Sequence, residues 1–346
     1  MAWITKPYRY AVLYTSLLAS VSSFILLDAF VIPHAQTVVS STAIQKQSNQ
    51  TTQSSTNQTA ATTDQTSGST TTATKSSDTA ITNTATATTQ SQTTATTAQV
   101  TDTSYQDGEL SIQLTTTRQY DTDIYIAEIK TSDPSNLKTA LANNTFGRNI
   151  KATTSDIAAD NQAILAINGD YYGFRDDGAV LRNGELLRTT QRQGHITEAL
   201  VIDNNGNFTI MDESQTDLAT MDTSNIQQIL SFGPALVNEG EIVVGEQDEV
   251  STRSHSNQNP RTAIAMVAPG HYYMVVTDGR TNSSTGLTLY QLATVLQNLG
   301  AKVAYNLDGG GSSTMVFNGK VVNNPTTNGQ GNQERAVSDI VYFSNN

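Results

Sequence analysis

Apolar and polar residues divide the chain into three parts. The first, 1–35, holds one long apolar run, and the second, 36–104, has almost no apolar side chains that form a core. In the third, 105–346, apolar residues alternate with glycines and turn signals, as they do in a folded domain. The pattern predicts one folded domain preceded by an apolar segment and a linker.

The folded part is predicted to contain many short strands and few helices. Alternating β-branched residues indicate strands, and apolar runs separated by glycine-containing turn signals indicate hairpins. The predicted strands and hairpins span 110–120, 123–130, 163–168, 179–187, 199–211, 234–244, 263–276, 314–322 and 335–343. This pattern predicts an α+β domain with a mostly β core.

One helix is specified by several signals at once. Thr288 and Gln291 form a capping box, and apolar residues follow them at helical spacing. Gly300 stands just beyond the predicted last turn, where a helix favours glycine. A second helix is predicted at about 155–161. Each helix leads directly into a predicted strand.

The apolar run at the N-terminus predicts export. Lys6 and Arg9 precede residues 11–32, and this run is long enough to cross a bilayer with its basic end inside. Pro33 fits poorly just before a signal-peptide cleavage site at Ala35. We therefore expect an extracytoplasmic bacterial protein, and we favour a retained membrane anchor over a signal that is cleaved to release the domain into the cell wall.

The linker at 36–104 is dominated by Thr, Ser, Gln, Ala and Asn. Such a segment buries too little apolar surface to offset the entropy of ordering, so we predict that it is disordered. A flexible chain of this length has a reach of roughly 45 Å, which suits a tether between a membrane and a domain.

Charge and cysteine content exclude several classes of protein. The net charge of −12 belongs to the folded part, because residues 1–104 hold four basic and four acidic side chains. An acidic domain is a poor nucleic-acid binder. The chain has no cysteine, which excludes disulfides, thiolate zinc sites and a cysteine nucleophile. The four histidines are scattered, which argues against a histidine-bound zinc.

Polar and glycine residues collect where predicted strands end. The four stretches are INGDYYGF (167–174), NPRTAIAM (259–266), TDGRTNSSTG (277–286) and NLDGGGSST (306–314). Strand ends present site residues on a rigid support, although Asn168-Gly169 and Asp278-Gly279, each taken alone, favour a simple turn.

Taken together and in this order, these stretches resemble the phosphodiester glycosidase family. The resemblance also includes STGLTLYQLATVLQNLGA after TDGR and the late ERAVSDIVYF, and it covers about 105–346. That family includes the lysosomal uncovering enzyme and bacterial proteins linked to exopolysaccharide genes. The resemblance implies hydrolysis of the anomeric C–O bond of a sugar-1-phosphodiester, of the N-acetylglucosamine-α-1-phosphate type, in cell-wall or exopolysaccharide polymers.

The implied reaction requires a phosphate site beside a carboxylate, because a phosphate leaves as a stable anion. Asp308 is the first choice for the catalytic carboxylate, followed by Asp170 and Asp278, and Asn168 is expected to orient sugar hydroxyls or water. The expected phosphate ligands are arginines, backbone N–H groups of the glycine run and hydroxyls. They are Arg261, Arg280, Gly309, Gly310, Gly311, Ser312, Ser313 and Arg335.

Three alternatives stay open at this point. Arg335 is equally explained as the partner of a site carboxylate in an ion pair. No cofactor is required by the spacing, although Asp170, Asp278 and Asp308 are able to converge on a divalent cation. The whole domain is also consistent with a non-catalytic surface module that binds anionic wall glycan. The expected partners are a carbohydrate phosphodiester and, through the N-terminal segment, a membrane.

Overall fold

The computed structural model describes residues 6–36, 98–250 and 258–345. The disorder predicted for the linker falls almost wholly on residues outside this described part. The helices are α1 Lys6–Phe30, α2 Thr154–Asp160 and α3 Leu289–Asn298.

The strands pair antiparallel with their neighbours, as expected for a fold built from hairpins. They are β1 His34–Ala35, β2 Gln99–Val100, β3 Ser104–Gln106, β4 Leu110–Gln119, β5 Thr122–Thr131, β6 Leu137–Leu141, β7 Gly147–Arg148, β8 Leu165–Asn168, β9 Val180–Arg182, β10 Glu185–Arg188, β11 Glu198–Asp203, β12 Phe208–Asp212, β13 Ile226–Leu230, β14 Ala235–Asn238, β15 Glu241–Ile242, β16 Thr262–Ala268, β17 His271–Thr277, β18 Val303–Asn306, β19 Met315–Phe317, β20 Lys320–Val321 and β21 Asp339–Phe343.

These strands form four sheets. The largest has nine strands in the order β15-β14-β18-β16-β17-β5-β4-β3-β2, and a five-stranded sheet has the order β20-β19-β8-β21-β6. A second five-stranded sheet has the order β10-β9-β13-β11-β12, and β1 pairs with β7. The predicted α+β fold with a mostly β core is confirmed.

The nine-stranded sheet is buried on both faces. Along β17, Tyr272, Met274 and Val276 belong to the largest apolar cluster, whereas Tyr273 and Val275 belong to the cluster that includes the apolar side of α3. This alternation follows from the period of two in a strand. One face of the sheet therefore packs on the rest of the core, and the other packs on α3.

The sheet that contains β8 and β21 is also covered on both faces. Val341 and Phe343 of β21 join the largest cluster, while Ile340 and Tyr342 pack with Ile157 of α2 and its neighbours. The layers are therefore α3, the nine-stranded sheet, this five-stranded sheet and α2. The largest cluster lies between the two sheets.

The helix signals are confirmed in detail. Thr288 Oγ1 accepts from Gln291 N–H at 3.1 Å, and Gln291 Oε1 accepts from Thr288 N–H at 3.0 Å. Gly300 has φ of +85° after the last turn of α3. The other predicted helix, α2, begins at Thr154, one residue earlier than expected.

The predicted hairpins form, and the one predicted at 179–187 has a shorter turn than its sequence suggests. The turn there consists of Asn183 and Gly184, with φ of +50° and +82°, whereas Arg182 is the last residue of β9 and is buried. The final predicted strand is shorter than expected, because β21 begins at Asp339. The first strand of the nine-stranded sheet, β2, begins at Gln99, ahead of the domain start predicted at residue 105.

α1 is long enough and apolar enough to cross a membrane. Its window Ala11–Asp28 has a mean hydropathy of 1.6, and no part of that window is buried. A signal sequence fits the same description, so the choice between anchor and signal stays a prediction.

Candidate active site

Three neighbouring strands of the nine-stranded sheet bring site residues to one edge. Asn306, at the end of β18, pairs with Ala263 near the start of β16, and Thr262 of β16 pairs with Val276 near the end of β17. In antiparallel strands, the start of one lies beside the end of the next. The residues just before β16 and just after β17 and β18 therefore meet.

The second sheet contributes the opposite side of the same region. Asn168, at the end of β8, pairs with Ile340 near the start of β21. The Asp308 N–H donates to the Gly169 carbonyl at 3.2 Å, and Asn168 Nδ2 donates to the Asp308 carbonyl at 2.6 Å. Asp308 is therefore fixed where the two sheets meet.

Asp308 and Arg335 lie between two adjoining cavities. The larger cavity has a volume of about 360 Å³, and the smaller has a volume of about 190 Å³. The larger is lined by Phe232, Glu249, Val250, Asn259, Arg261, Arg280, Asn306, Asp308, Gly309, Gly310 and Arg335. The smaller is lined by Lys151, Tyr171, Phe174, Asp308, Ser312, Arg335 and Ala336. We call them the large cleft and the small cavity.

The Asp308 carboxylate is nearly buried, with 9 % of the residue exposed. Its Oδ2 accepts from Ser312 Oγ at 2.6 Å and from Arg335 Nη2 at 3.3 Å. Burial raises the pKa of this carboxyl above its ordinary value, and Arg335 and Ser312 offset that effect only in part. A carboxyl group with a raised pKa beside two cavities is a frequent property of catalytic sites.

Arg335 forms the ion pair that the sequence left open. Its Nη2 also donates to the Gly309 carbonyl at 3.2 Å, and its Nε donates to Ser312 Oγ at 2.9 Å. Its Nη1 donates to no protein group within the described part of the chain. Since 40 % of the side chain is exposed, this edge of the guanidinium is open to a ligand.

Arg261 and Arg280 also line the large cleft, and their surroundings differ. Arg261 is paired with Glu249, with distances of 3.1 Å from Nη1 to Oε1 and 2.6 Å from Nη2 to Oε2. Arg280 donates to the Thr327 carbonyl at 2.7 Å and to Asn259 Oδ1 at 3.0 Å, and neither is a charged partner. Burial and the charges of Arg335 and Arg261 lower the pKa of Arg280. The positive charge that is left uncompensated in the cleft is therefore that of Arg280.

The glycine run allows close approach by other parts of the protein. Gly310 has φ of +62°, and a Cβ there would lie 2.8 Å from Arg280 Nη2. The N–H groups of Gly310, Ser312 and Ser313 donate to the carbonyls of Pro260, Gly309 and Gly310. Of the glycine N–H groups expected to bind phosphate, that of Gly310 is therefore already used. The glycines Gly309 and Gly310 line the cleft, whereas Gly311 packs against Thr327.

Two other predicted residues are buried away from both cavities. Asn168 Oδ1 accepts from Thr262 Oγ1 at 2.8 Å, so its amide is committed to the protein. Asp170 accepts from the N–H groups of Tyr172 and Ser231, each at 2.9 Å, and it contacts Arg182. These contacts suit positioning of the strand end rather than contact with a ligand.

Asp170 belongs to a buried cluster that the sequence did not reveal. Arg182 Nη2 lies 2.9 Å from Asp170 Oδ2 and 2.8 Å from Asp339 Oδ2. Burial opposes ionisation of Asp170, but the positive charges of Arg182 and Arg175 outweigh it and lower the pKa. Burial and the nearby charge of Asp170 raise the pKa of Asp339 to about 8. One guanidinium thus serves two carboxyl groups with opposite pKa shifts.

Asp278 lies outside both cavities. Its Oδ1 accepts from the Asn324 N–H at 2.8 Å, and its Oδ2 accepts from Asn324 Nδ2 at 2.8 Å and from Tyr125 O–H at 3.1 Å. Asn323 next to it donates to the Ser313 carbonyl at 2.9 Å. Asp278 therefore supports the segment behind the serines. Asp170, Asp278 and Asp308 do not converge, and the residues described contain no group of three or more potential metal ligands.

Sequence reasoning missed several residues that line the cavities, both outside the motifs and within them. Glu249 adds a second carboxylate to the large cleft, and no local pattern distinguishes it. Tyr171 and Phe174 lie within INGDYYGF, and their rings are 4.8 Å apart. Their aromatic character was a signal for ligand contact that the motif reading did not use.

Comparisons with known proteins identify the family to which the chain is similar. The model of the phosphodiester glycosidase family matches residues 161–344, which is more than half of the chain. Protein YomE, of SPbeta prophage origin in Bacillus subtilis, is 27 % identical over 205 residues, covering 58 % of this chain and 30 % of that protein. Mouse N-acetylglucosamine-1-phosphodiester alpha-N-acetylglucosaminidase is 28 % identical over 211 residues, covering 55 % of this chain and 39 % of the mouse protein.

A solved structure shows the same fold. The catalytic domain of zebrafish N-acetylglucosamine-1-phosphodiester alpha-N-acetylglucosaminidase superposes with a TM-score of 0.54 at 20 % identity. The match covers 69 % of this chain and 83 % of the zebrafish domain. The chain spans about a third of the length of protein YomE and of the mouse enzyme.

Proposed function

The chain belongs to the phosphodiester glycosidase family, and from this premise we propose that it hydrolyses the anomeric C–O bond of an N-acetylglucosamine-1-phosphodiester. The observation that carries the proposal is the position of Asp308. This carboxylate is nearly buried, has a raised pKa and lies in the wall common to two cavities, beside the arginines. One cavity on each side suits a substrate that is cut in the middle.

The phosphate is placed near Arg335 and Arg280. Arg335 has an edge directed to no described protein group, and Arg280 has no carboxylate partner among its hydrogen bonds. In a domain with net negative charge, these local cations are what attracts an anion. Within the glycine run, the N–H group of Gly310 is already used, because it donates to the Pro260 carbonyl.

The sugar is placed in the large cleft. Asn259, Arg261 and Glu249 offer donors and acceptors for hydroxyl and acetamido groups. Asn306 lines the cleft, and its buried Oδ1 accepts no hydrogen bond from a described residue. A ligand donor in the cleft would satisfy that oxygen.

The reaction is a transfer of the glycosyl group to water. The bond between the anomeric carbon and the phosphate oxygen breaks, and the phosphomonoester leaves with the electron pair. Water adds its oxygen to the anomeric carbon and loses one proton. Asp308 supplies the negative charge that stabilises the positive character developing on the sugar, and Arg335 and Arg280 stabilise the departing phosphate.

The biological substrate is proposed to be a glycan outside the cytoplasmic membrane, of the cell-wall or exopolysaccharide type. The support is α1, which fits an export segment. The second candidate function is binding of anionic wall glycan without cleavage, which the open edge of Arg335 and the charge of Arg280 would also support.

A turnover assay separates the two functions. We expect the purified protein to release N-acetylglucosamine and methyl phosphate from the methyl ester of N-acetylglucosamine-α-1-phosphate. Release would be followed by chromatography, and binding would be followed by calorimetry on the same sample. Binding without any release, at enzyme concentrations of about 10 µM over a day, would favour the binding module.

The pH profile of the reaction is expected to depend on Arg335. Because Asp308 acts as the ionised form and its pKa is raised, kcat/KM should fall with decreasing pH at a higher pH than for an ordinary aspartate. In Arg335→Gln the favourable charge is lost, so the midpoint of this fall should move further up by about one pH unit. Arg118→Gln, which alters an arginine paired with Asp123, should leave the midpoint in place. An identical profile for wild type and Arg335→Gln would contradict the assignment.

A further inference from the structure

The chain that leaves α1 joins the folded domain beside the small cavity. β1 follows α1 after a short turn and pairs with β7, with His34 opposite Arg148 and Ala35 opposite Gly147. The Gln36 N–H continues the contact by donating to the Phe146 carbonyl at 2.9 Å. The domain therefore receives the end of the apolar helix directly.

Side chains and packing support this junction. Asn149 Nδ2 donates to the Ile32 carbonyl at 3.0 Å and to the Asp28 carbonyl at 3.3 Å, which satisfies carbonyl groups at and just beyond the C-terminal end of α1. A Cβ on Gly147 would overlap the backbone of His34 and Ala35, the three nearest atoms all belonging to that segment. The glycine thus permits the close approach of β1.

The junction is continuous with the small cavity. The Asn149 N–H donates to the Gly173 carbonyl at 2.9 Å, and Gly173 lies between Tyr171 and Phe174 of the cavity wall. Lys151, another wall residue, is two residues beyond Asn149, at most about 7 Å along the chain. The small cavity is therefore on the side of the site that faces the end of α1.

From this geometry we propose that the domain is held against the bilayer and that its substrate is a glycosyl phosphate esterified to a membrane-held lipid alcohol. The proposal rests on the proposed function. It identifies the alcohol that forms the other ester bond of the same phosphodiester. The sugar occupies the large cleft, the phosphate lies at Arg335, and the lipid arm leaves through the small cavity toward the membrane.

The wall of the small cavity suits that arm. The Tyr171 and Phe174 rings and the Ala336 methyl group present apolar surface, and 37 % of Tyr171 is exposed. The exposed Lys151 places positive charge at the rim, where an anionic phosphate and an anionic headgroup both favour it. A hydrophilic polymer arm would gain less from two aromatic rings than an isoprenoid or acyl chain does.

The β1–β7 pairing also means that the linker does not act as a tether between α1 and the domain. The domain is contacted by Gln36 before residues 37–97 and by β2 after them. The distance between α1 and the domain is therefore set by the β1–β7 pair and not by the length of that segment. A domain at the end of a long tether would reach glycan far from the membrane, whereas this one acts on glycosyl phosphates at the membrane surface.

The test compares a lipid ester with a soluble ester on the full-length protein in phosphatidylcholine–phosphatidylglycerol vesicles. The probes are the phytanyl and methyl esters of N-acetylglucosamine-α-1-phosphate. We expect wild type to favour the phytanyl ester by at least tenfold in kcat/KM at equal bulk concentration. In Gly147→Ala the preference should fall by about tenfold, with the methyl ester turned over as before. An unchanged preference in Gly147→Ala, or no preference in wild type, would overturn the proposal.

A cross-link tests the junction independently of catalysis. The chain contains no cysteine, so His34→Cys with Arg148→Cys introduces a single pair at facing positions of antiparallel strands. We expect a disulfide to form in vesicles and the phytanyl preference to survive it. Failure to cross-link refutes membrane docking, even if the methyl ester is hydrolysed. A mature protein whose mass shows that α1 has been removed refutes it as well. If neither ester is hydrolysed while the cross-link forms, the proposed function is what fails, and the lipid substrate fails with it.

Discussion

Asp308→Asn is expected to lower kcat by about 10³-fold while leaving the protein folded. The amide keeps the shape of the carboxyl group, and its oxygen still accepts from Ser312 Oγ and Arg335 Nη2. What is lost is the negative charge beside the anomeric carbon. The measurement is release of N-acetylglucosamine from the methyl ester, with thermal unfolding recorded on the same preparation.

Asp278→Asn is the matched control for this variant. Asp278 is also a buried aspartate just beyond a strand end, and it lines neither cavity. We expect its loss of charge to change kcat by less than about tenfold, through the Asn323 and Asn324 segment it supports. Equal losses in the two variants, or full activity in Asp308→Asn, would show that the carboxylate of Asp308 has no special part in the reaction.

Arg182→Met is expected to destabilise the domain by about 3–5 kcal/mol, because it leaves two carboxyl groups buried without their cation. Asp170 and Asp339 both lie within 3 Å of this guanidinium, at 2.9 and 2.8 Å. Urea unfolding of the purified protein measures the effect. The exposed pair of Arg118 and Asp123 provides the control, since Arg118→Met should cost at most about 1 kcal/mol.

The loss of stability in Arg182→Met should be larger at high pH than at low pH. The folded-state pKa of Asp339 is raised to about 8, so the folded protein holds this proton more tightly than the unfolded chain does. Its contribution to stability is therefore present at low pH and is lost as pH rises through that pKa. Without the guanidinium the ionised form is less favourable still, and the variant should be closer to wild type at about pH 5 than at about pH 8. The opposite trend would mean that Asp339 is not the group that titrates.

The parts of the fold that were predicted correctly depend on neighbouring residues. The turns of Asn183-Gly184 and Asn318-Gly319 have positive φ at both residues, and those sequences favour it wherever they occur. The capping box of Thr288 and Gln291 likewise needs only residues three apart. Such signals locate elements along the chain, but they carry no information on which sheet each strand joins.

The parts that were not predicted depend on distant residues. Arg182 lies within the hairpin predicted at 179–187, yet it is buried between Asp170 and Asp339, the latter 157 residues away in sequence. Glu249 enters the large cleft by pairing with Arg261, and no motif surrounds it. Asp308 and the arginines are candidates from the sequence alone, whereas the partners that decide their charge were found only from the structure.

The glycine run has a neighbour that its sequence did not reveal. Its N–H groups were expected to bind phosphate, and the group that lies close to Gly310 in the structure is the Arg280 guanidinium. Backbone geometry decided this outcome, since the N–H group of Gly310 itself donates to the Pro260 carbonyl. Sequence patterns specify where side chains are missing and do not specify what fills the space.

The bond between Asn168 and Asp308 has a consequence for how the site responds to heat. It links the end of β8 in one sheet to the residue that follows β18 in the other, across the seam of the core. A local opening that displaces Asp308 therefore has to part the two sheets, which exposes the largest apolar cluster to water. Loss of the catalytic geometry and cooperative melting of the domain should accordingly be a single event, with no inactive but still folded intermediate between them.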